Sequence, residues 1–350
     1  MSWKRTILRL GRRLLLLVVL VVCGLFVVAQ VRRAALRRDH AAPGERIEVG
    51  GQNLHVVVRG RGGPTVVFEA GAGEFGLVWS PVAEKVAEFA TVVVYDRAGF
   101  GWSDPAPGGT AVDPVGSLRQ LLATRQLAPP YILVGHSLGG LRMRAFAARW
   151  PETVGGLLLV DATHEQQFAR LPERFVARAK GQAAGFATAA RVLAVVADSG
   201  LLALAPAVIP AMPGLTPPEQ AAYRARIVVD GTFLRSVLKE QLDALAAEPV
   251  ALRPLPPRLA DVPLIVLAHG RAEMLPDEQL LAAEIERSEI VWQELQGELA
   301  ALSTRGRMEV VGGTGHHVHL ERPDAVVAAI RELVWKCSAD PRAADTKRPE

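Results

Sequence analysis

Residues 131–149 read Tyr-Ile-Leu-Val-Gly-His-Ser-Leu-Gly-Gly-Leu-Arg-Met-Arg-Ala-Phe-Ala-Ala-Arg. Tyr131–Val134 is a short apolar run that predicts a buried strand, and Leu141–Arg149 predicts a helix. Between them Gly135-His136-Ser137-Leu138-Gly139 matches G-x-S-x-G, and Gly140 follows. A strand that turns sharply into a helix across one serine needs glycine beside it, because a Cβ there would collide with the turn. Such a turn lifts Ser137 to the C-terminal edge of the sheet, where ligands of open α/β folds bind. A chance Gly-rich turn would share the letters, but not the strand before and the helix after.

Working outward, further β-like runs fall at Leu54–Arg59, Thr65–Glu69, Thr91–Tyr95, Gly156–Val160, Pro263–Ala268 and Arg307–Val311. Several are continuous Val/Ile/Leu runs, which suits strands buried on both faces of a parallel sheet. Helical segments such as Val82–Glu88, Val115–Arg125 and Ala325–Trp335 alternate with them. The pattern predicts an α/β, mostly parallel, doubly wound sheet. It breaks once: residues 164–261 are Ala-rich and punctuated by Pro206, Pro210, Pro213, Pro217 and Pro218. That stretch reads as a helical cap inserted between a first core part, 47–163, and a second, 262–335. Residues 336–350 read as a tail.

The chain has 350 residues, with 50% hydrophobic and 22% charged, enough to build a substantial core. Its net charge of +4 hides an asymmetry. Residues 1–38 hold nine basic side chains and no acid; removing nine from 40 Lys and Arg leaves 31 against 36 Asp and Glu in the remainder. The body is therefore mildly acidic, which excludes the basic folded surface of a nucleic-acid binder. The basic residues instead bracket residues 14–31, LLLLVVLVVCGLFVVAQV. Eighteen residues at about 1.5 Å each reach roughly 27 Å, enough to cross a hydrocarbon core. The segment predicts one N-terminal transmembrane helix, preceded by a basic segment, 1–13, and followed by a linker, 32–46. A signal peptide cleaved after Val27-Val28-Ala29 is the other reading. Arg32, Arg33, Arg37 and Arg38 would follow that cut and hinder translocation, which favours a retained signal anchor. Orientation is weakly set, with five positive residues before the span and four after it. The expected arrangement is a single-pass membrane protein with its folded domain outside the cytoplasm.

A serine hydroxyl needs a base to become a nucleophile at neutral pH. Gly315-His316-His317-Val318-His319-Leu320-Glu321-Arg322-Pro323 follows the last strand, so His316 is level with Ser137 across the sheet edge. His317 and His319 form an H-x-H pair of the kind metals use. No spaced Cys completes a site, and Glu321 is the one acid within the motif, so no metal and no cofactor are expected. The two Cys, Cys23 and Cys337, cannot build a disulfide framework.

These motifs, with Glu69-Ala-Gly-Ala-Gly73 and Tyr95-Asp-Arg-Ala-Gly-Phe-Gly-Trp-Ser-Asp104, resemble α/β-hydrolase-fold serine hydrolases, in particular a membrane-anchored or exported group, over residues 47–335. The resemblance implies the α/β-hydrolase fold and makes His316 the base. It implies that the N–H groups of Ala72 and Leu138 hold the oxyanion. Relatives usually begin the oxyanion loop His-Gly; Ala70-Gly71 stands here, and losing that His is expected to loosen the loop. Most relatives carry the acid after the strand at Pro263–Ala268, where Glu273 stands; some dehalogenases keep it where Asp161 stands. Asp161 abuts a strand end directly and is the stiffer side chain, so the sequence leans to it while leaving Glu273 open. Asp96 and Arg97 are expected to brace a turn, and Trp79 and Trp102 to line the pocket or the core.

The expected function is hydrolysis of a carboxylic ester, with a small-molecule ester as the partner. The apolar stretch Leu201–Leu215 of the cap points to a lipophilic ester. Within this fold, a serine nucleophile argues against dehalogenase and epoxide hydrolase chemistry, which use Asp. Peptidase or C–C bond hydrolase activity stays open. A membrane-tethered binding protein is the non-catalytic alternative, opposed by the intact pair Ser137 and His316.

Overall fold

The computed structural model describes residues 2–109, 113–245, 259–271 and 282–339. It opens on a long helix, α1 (Ser2–Asp39), followed by a hairpin of β1 (Glu45–Val49) and β2 (Gln52–Arg59). Then come β3 (Thr65–Glu69), α2 (Ser80–Val86), β4 (Thr91–Tyr95), α3 (Pro114–Thr124), β5 (Tyr131–His136), α4 (Leu138–Arg149) and β6 (Val154–Val160). A helical excursion follows: α5 (Gln167–Arg170), α6 (Glu173–Asp198), α7 (Pro217–Val228) and α8 (Thr232–Leu245). The chain returns through β7 (Leu264–His269), α9 (Ala282–Ala300), β8 (Gly306–Val311), α10 (Val318–Glu321) and α11 (Pro323–Ala339).

The eight strands form one sheet in the order β1-β2-β4-β3-β5-β6-β7-β8. The pairs β1/β2 and β2/β4 are antiparallel and all the others parallel. Alternate residues of the central strands feed opposite faces, as the period of two requires. Val66, Phe68, Ile132, Val134, Leu158 and Val160 join α2 and α11 in one core. Val67, Leu133, Leu157, Leu159 and Val266 join α3, α4 and α9 in the other. Phe68 and Phe146 are wholly buried, one in each core, and truncating either to Ala is expected to cost about 3–5 kcal/mol. The residues of the functional motifs lie past the C-terminal ends of the parallel strands, so the sheet brings together positions far apart in sequence.

The predicted linker 32–46 is only partly one. α1 runs unbroken to Asp39, because nothing between Arg32 and Asp39 breaks a helix and its last turns dock on the folded domain. Ala29 and Leu36 are buried there, and Gln30 Nε2 donates to Ser199 O at 2.7 Å. Glu45 and Arg46, read as linker, already belong to β1. Before Ala29 the apolar side chains of α1 are exposed, and the helix is long and apolar enough to cross a membrane.

Candidate active site

Ser137 is the last non-helical residue between β5 and α4, with φ 51° and ψ −124°. Left-handed backbone is costly for a residue with a Cβ, and such strain clusters where function needs it. The turn is over-determined. Ser137 N–H donates to Val160 O at 3.1 Å, and its carbonyl accepts from Gly140 and Thr163 N–H at 2.9 and 3.0 Å. Glycine is forced on either side: a Cβ at Gly135 would lie 2.5 Å from Gly139 O, and one at Gly139 2.5 Å from Glu69 O. Ser137 itself is half-buried.

Asp161, directly after β6, is a second strained residue, at φ 44°, with its N–H on Leu267 O at 2.7 Å. Its carboxylate is completely buried and accepts four hydrogen bonds. Oδ1 takes Trp292 Nε1 at 2.8 Å and His269 N–H at 3.1 Å. Oδ2 takes His316 Nδ1 at 2.6 Å and His269 Nδ1 at 2.8 Å. Burial alone would raise this carboxyl, but the bonds from His269 and His316 outweigh it and hold it well below the usual range. His269 also donates Nε2–H to Glu289 at 2.8 Å. Burial would lower the His269 imidazole, yet its two carboxylate partners push it up to about 10, so it stays a cation. His316 is half-buried, and with Nδ1–H on Asp161 a neutral ring presents a lone pair at Nε2.

On the other side of the elbow lies a second carboxylate that the sequence reading did not single out. Glu74 Oε2 accepts from Gly71 N–H at 2.9 Å and pairs with His136 Nδ1 at 3.1 Å, while Oε1 pairs with His317 Nε2 at 3.0 Å. His136 Nε2 lies 3.0 Å from His316 O. A carbonyl only accepts, so Nε2 carries a hydrogen, and the bond between Nδ1 and Glu74 needs a second proton held between them. Burial would raise Glu74, but His136 and His317 hold it well below the usual carboxylate range. Its three contacts reach the residues next to Ala72, Ser137 and His316.

Ala72 follows β3 and Leu138 opens α4; β3 and β5 are adjacent, with Glu69 opposite Gly135. The loop is braced despite lacking the usual histidine, which corrects the expectation that it would be loose. Arg97 donates to Ala70 O at 3.1 Å, Gly71 O at 2.9 Å and Glu74 O at 3.0 Å. The same guanidinium pairs with buried Glu69 at 3.0 Å and, at 3.1 Å, with Glu240 of α8, which accepts Gly73 N–H at 2.7 Å. Arg142 adds pairs to Glu69 and Glu240. Arg97 therefore fixes the loop and ties the cap to it, a wider task than bracing its own turn. Asp96 does brace a turn, accepting from Gly76 and Trp102 N–H at 2.8 and 2.9 Å.

Comparison with known proteins agrees with this architecture. The model of the alpha/beta hydrolase family matches residues 66–329. The chain belongs to that family. The uncharacterized protein YqjL of Bacillus subtilis (strain 168) is 25% identical over 288 residues, covering 82% of this chain and 88% of YqjL. An epoxide hydrolase from Bacillus megaterium superposes with a TM-score of 0.60 at 18% identity, over 83% of this chain and 99% of the other. A membrane phospholipase A, described as a bacterial virulence factor, gives 0.57 at 19% identity, over 96% and 100%. At these identities the solved structures share the fold, and their different chemistries belong to them.

In this alpha/beta hydrolase the strand ends bring Ser137, Asp161 and His316 to one rim, with the Asp161 carboxylate between His316 and His269. Glu273 lies outside the described residues. Trp79 is wholly buried against His319, with ring centroids 4.5 Å apart, and Trp102 packs on His55 and Phe75. Trp79 is a core residue, whereas Trp102 is half-buried at the edge of the core and lines surface cavities beside His55 and His40. Two clusters have ligand atoms close enough to share a cation: Glu74, His136 and His319, and Asp161, His269 and His316. Hydrogen bonds within the clusters already occupy all of these groups except His319, whose ring nitrogens are buried without a partner. His269 and Trp292 were missed because they lie on β7 and α9, far in sequence from Asp161. The signal for Glu74 was an acid directly after the Gly-rich loop.

Proposed function

We propose that this protein is a serine hydrolase that cleaves a lipophilic carboxylic ester through Ser137, His316 and Asp161. The observation that carries the reading is a left-handed Ser137 on a strand–helix elbow beside a buried Asp161 bonded to His316 at 2.6 Å. Ser137 Oγ attacks the ester carbonyl carbon while His316 Nε2 takes its proton. The N–H groups of Ala72 and Leu138 hold the oxyanion, and Asp161 stabilises the imidazolium. The tetrahedral intermediate collapses, the C–O bond breaks, and the alcohol leaves with the proton from His316. Water, deprotonated by His316, then attacks the acyl-enzyme; the bond from Ser137 Oγ to the acyl carbon breaks, His316 returns the proton to Oγ, and the acid leaves. A serine at the elbow is the nucleophile of ester-type chemistry in this fold. α1 is read as a retained single-pass anchor with the hydrolase domain outside the cytoplasm, on the strength of its basic flanks and its docking to the folded domain.

A fluorophosphonate probe and a series of p-nitrophenyl esters of rising acyl length test the reading. Wild type is expected to be labelled at Ser137 and to turn esters over, and Ser137→Ala to lose both while keeping its melting temperature. Ester turnover near wild type in Ser137→Ala would end the assignment. Protease added to intact cells tests the topology: a domain protected until lysis means the opposite orientation.

A further inference from the structure

We propose that the outer face of the cap lies in the lipid leaflet beside α1, and that the active site takes acyl-lipid esters from that leaflet rather than from water. The substrate half rests on the ester hydrolase reading above; the seating of the cap does not.

Three observations converge. Outside α1, nine large hydrophobic residues are exposed among the described residues, and six fall in one stretch: Phe186, Val192, Val195, Leu201, Leu204 and Val208. Single exposed hydrophobics are ordinary, but a cluster asks for a covering. The same stretch is where α1 leaves the protein. Val28 is 56% exposed and Ala29 0%. Directly after them Gln30 bonds Ser199 O at 2.7 Å and Arg33 bonds Asp198 O at 3.1 Å. Leu201 and Leu204 therefore stand at the level where the apolar run of α1 ends and its arginines begin. That is where a membrane surface crosses a spanning helix. The occupant is lipid because Leu201 and Leu204 begin where the exposed apolar run of α1 meets the protein, with Gln30 and Arg33 marking the polar boundary beside them.

The third observation is the short path inward. α6, which carries Val192 and Val195, packs on α8. α8 lies directly over the oxyanion loop: a Cβ at Gly73 would sit 3.3 Å from Val237, and Glu240 accepts Gly73 N–H at 2.7 Å. Two helices, α6 and α8, thus lie between the apolar face and the loop. The segment that begins at Leu201 also reaches the far side of the site. Gly214 packs against the backbone of Leu320, four residues beyond His316. A leaflet-resident ester would meet a continuous apolar strap from the span to the base.

The full chain in phosphatidylcholine vesicles tests both halves. In a Cys23→Ala background, with buried Cys337 left in place, an NBD fluorophore is attached at Val195→Cys or, as a control at the opposite edge of the sheet, at Ser338→Cys. Doxyl-labelled lipid is expected to quench position 195 several-fold more than 338; equal quenching overturns the seating. The double variant Val192→Glu, Val195→Glu then separates the substrate half. It is expected to keep p-nitrophenyl butyrate turnover in solution within twofold. Turnover of p-nitrophenyl palmitate dissolved in the vesicles is expected to fall at least tenfold. Both esters falling together, or neither, overturns leaflet delivery. A wild type that cleaves neither ester removes the hydrolase reading and leaves the quenching to decide the cap.

Discussion

Asp161 and Glu74 are both buried, both held below the usual carboxylate range and both bonded to histidines, yet they stand on opposite sides of Ser137 and grip different things. Asp161 bonds His316 itself. Glu74 bonds the neighbours, namely His136 beside Ser137, His317 beside His316 and Gly71 beside Ala72. One carboxylate holds Nδ1 of the proposed base; the other ties together three loops. The contrast teaches that an ionised, histidine-bonded carboxylate is not by itself the acid of a triad. What distinguishes it is which ring it holds.

That contrast can be broken by substitution. Asp161→Asn is expected to have the largest effect, a fall in kcat of about 10⁴-fold with folding retained, because the wrong tautomer then faces Ser137. Glu273→Gln is expected to change turnover little. The reverse ranking on one ester would move the acid to Glu273. Glu74→Gln is expected to lower kcat by about 10–100-fold, the scale of a slightly misplaced group. KM should stay within about twofold. A Glu74→Gln loss as deep as that of Asp161→Asn would erase the distinction between the two centres.

Smaller effects sharpen it. His269 is raised from 6.5 to about 10 by its two carboxylates, so its ion pairs contribute stability fully below pH 6.5 and lose it as pH rises through 10. Glu289→Gln removes one of the two. The gap in Tm between wild type and Glu289→Gln is therefore expected to be widest near pH 6 and to close above pH 10. A gap that widens with pH would mean that His269 is neutral. The smallest effect belongs to His319, whose ring nitrogens are buried without partners. His319→Phe keeps the packing on Trp79 and removes an unpaired polar group. It is expected to raise Tm by about 2 °C with activity unchanged.

The run Tyr131–Arg149 determined by itself the strand, the elbow and the helix, because glycine spacing and apolar runs act over a few residues. Buried Val/Ile/Leu strands likewise made the parallel sheet legible, and the apolar run with its arginines made the long apolar N-terminal helix legible. The sequence leaned to Asp161 over Glu273 as the partner of His316, but it could not place Glu74, His269 and Trp292 around them. Those contacts depend on strand order and on how far each loop reaches past its strand end, and separations such as 131 residues between Asp161 and Trp292 leave no local trace. Nor could it show that Arg97 braces the loop of Ala70, Gly71 and Glu74 or that α1 continues to Asp39. Both follow from burial against surfaces built by distant segments, and burial is a property of the folded chain alone.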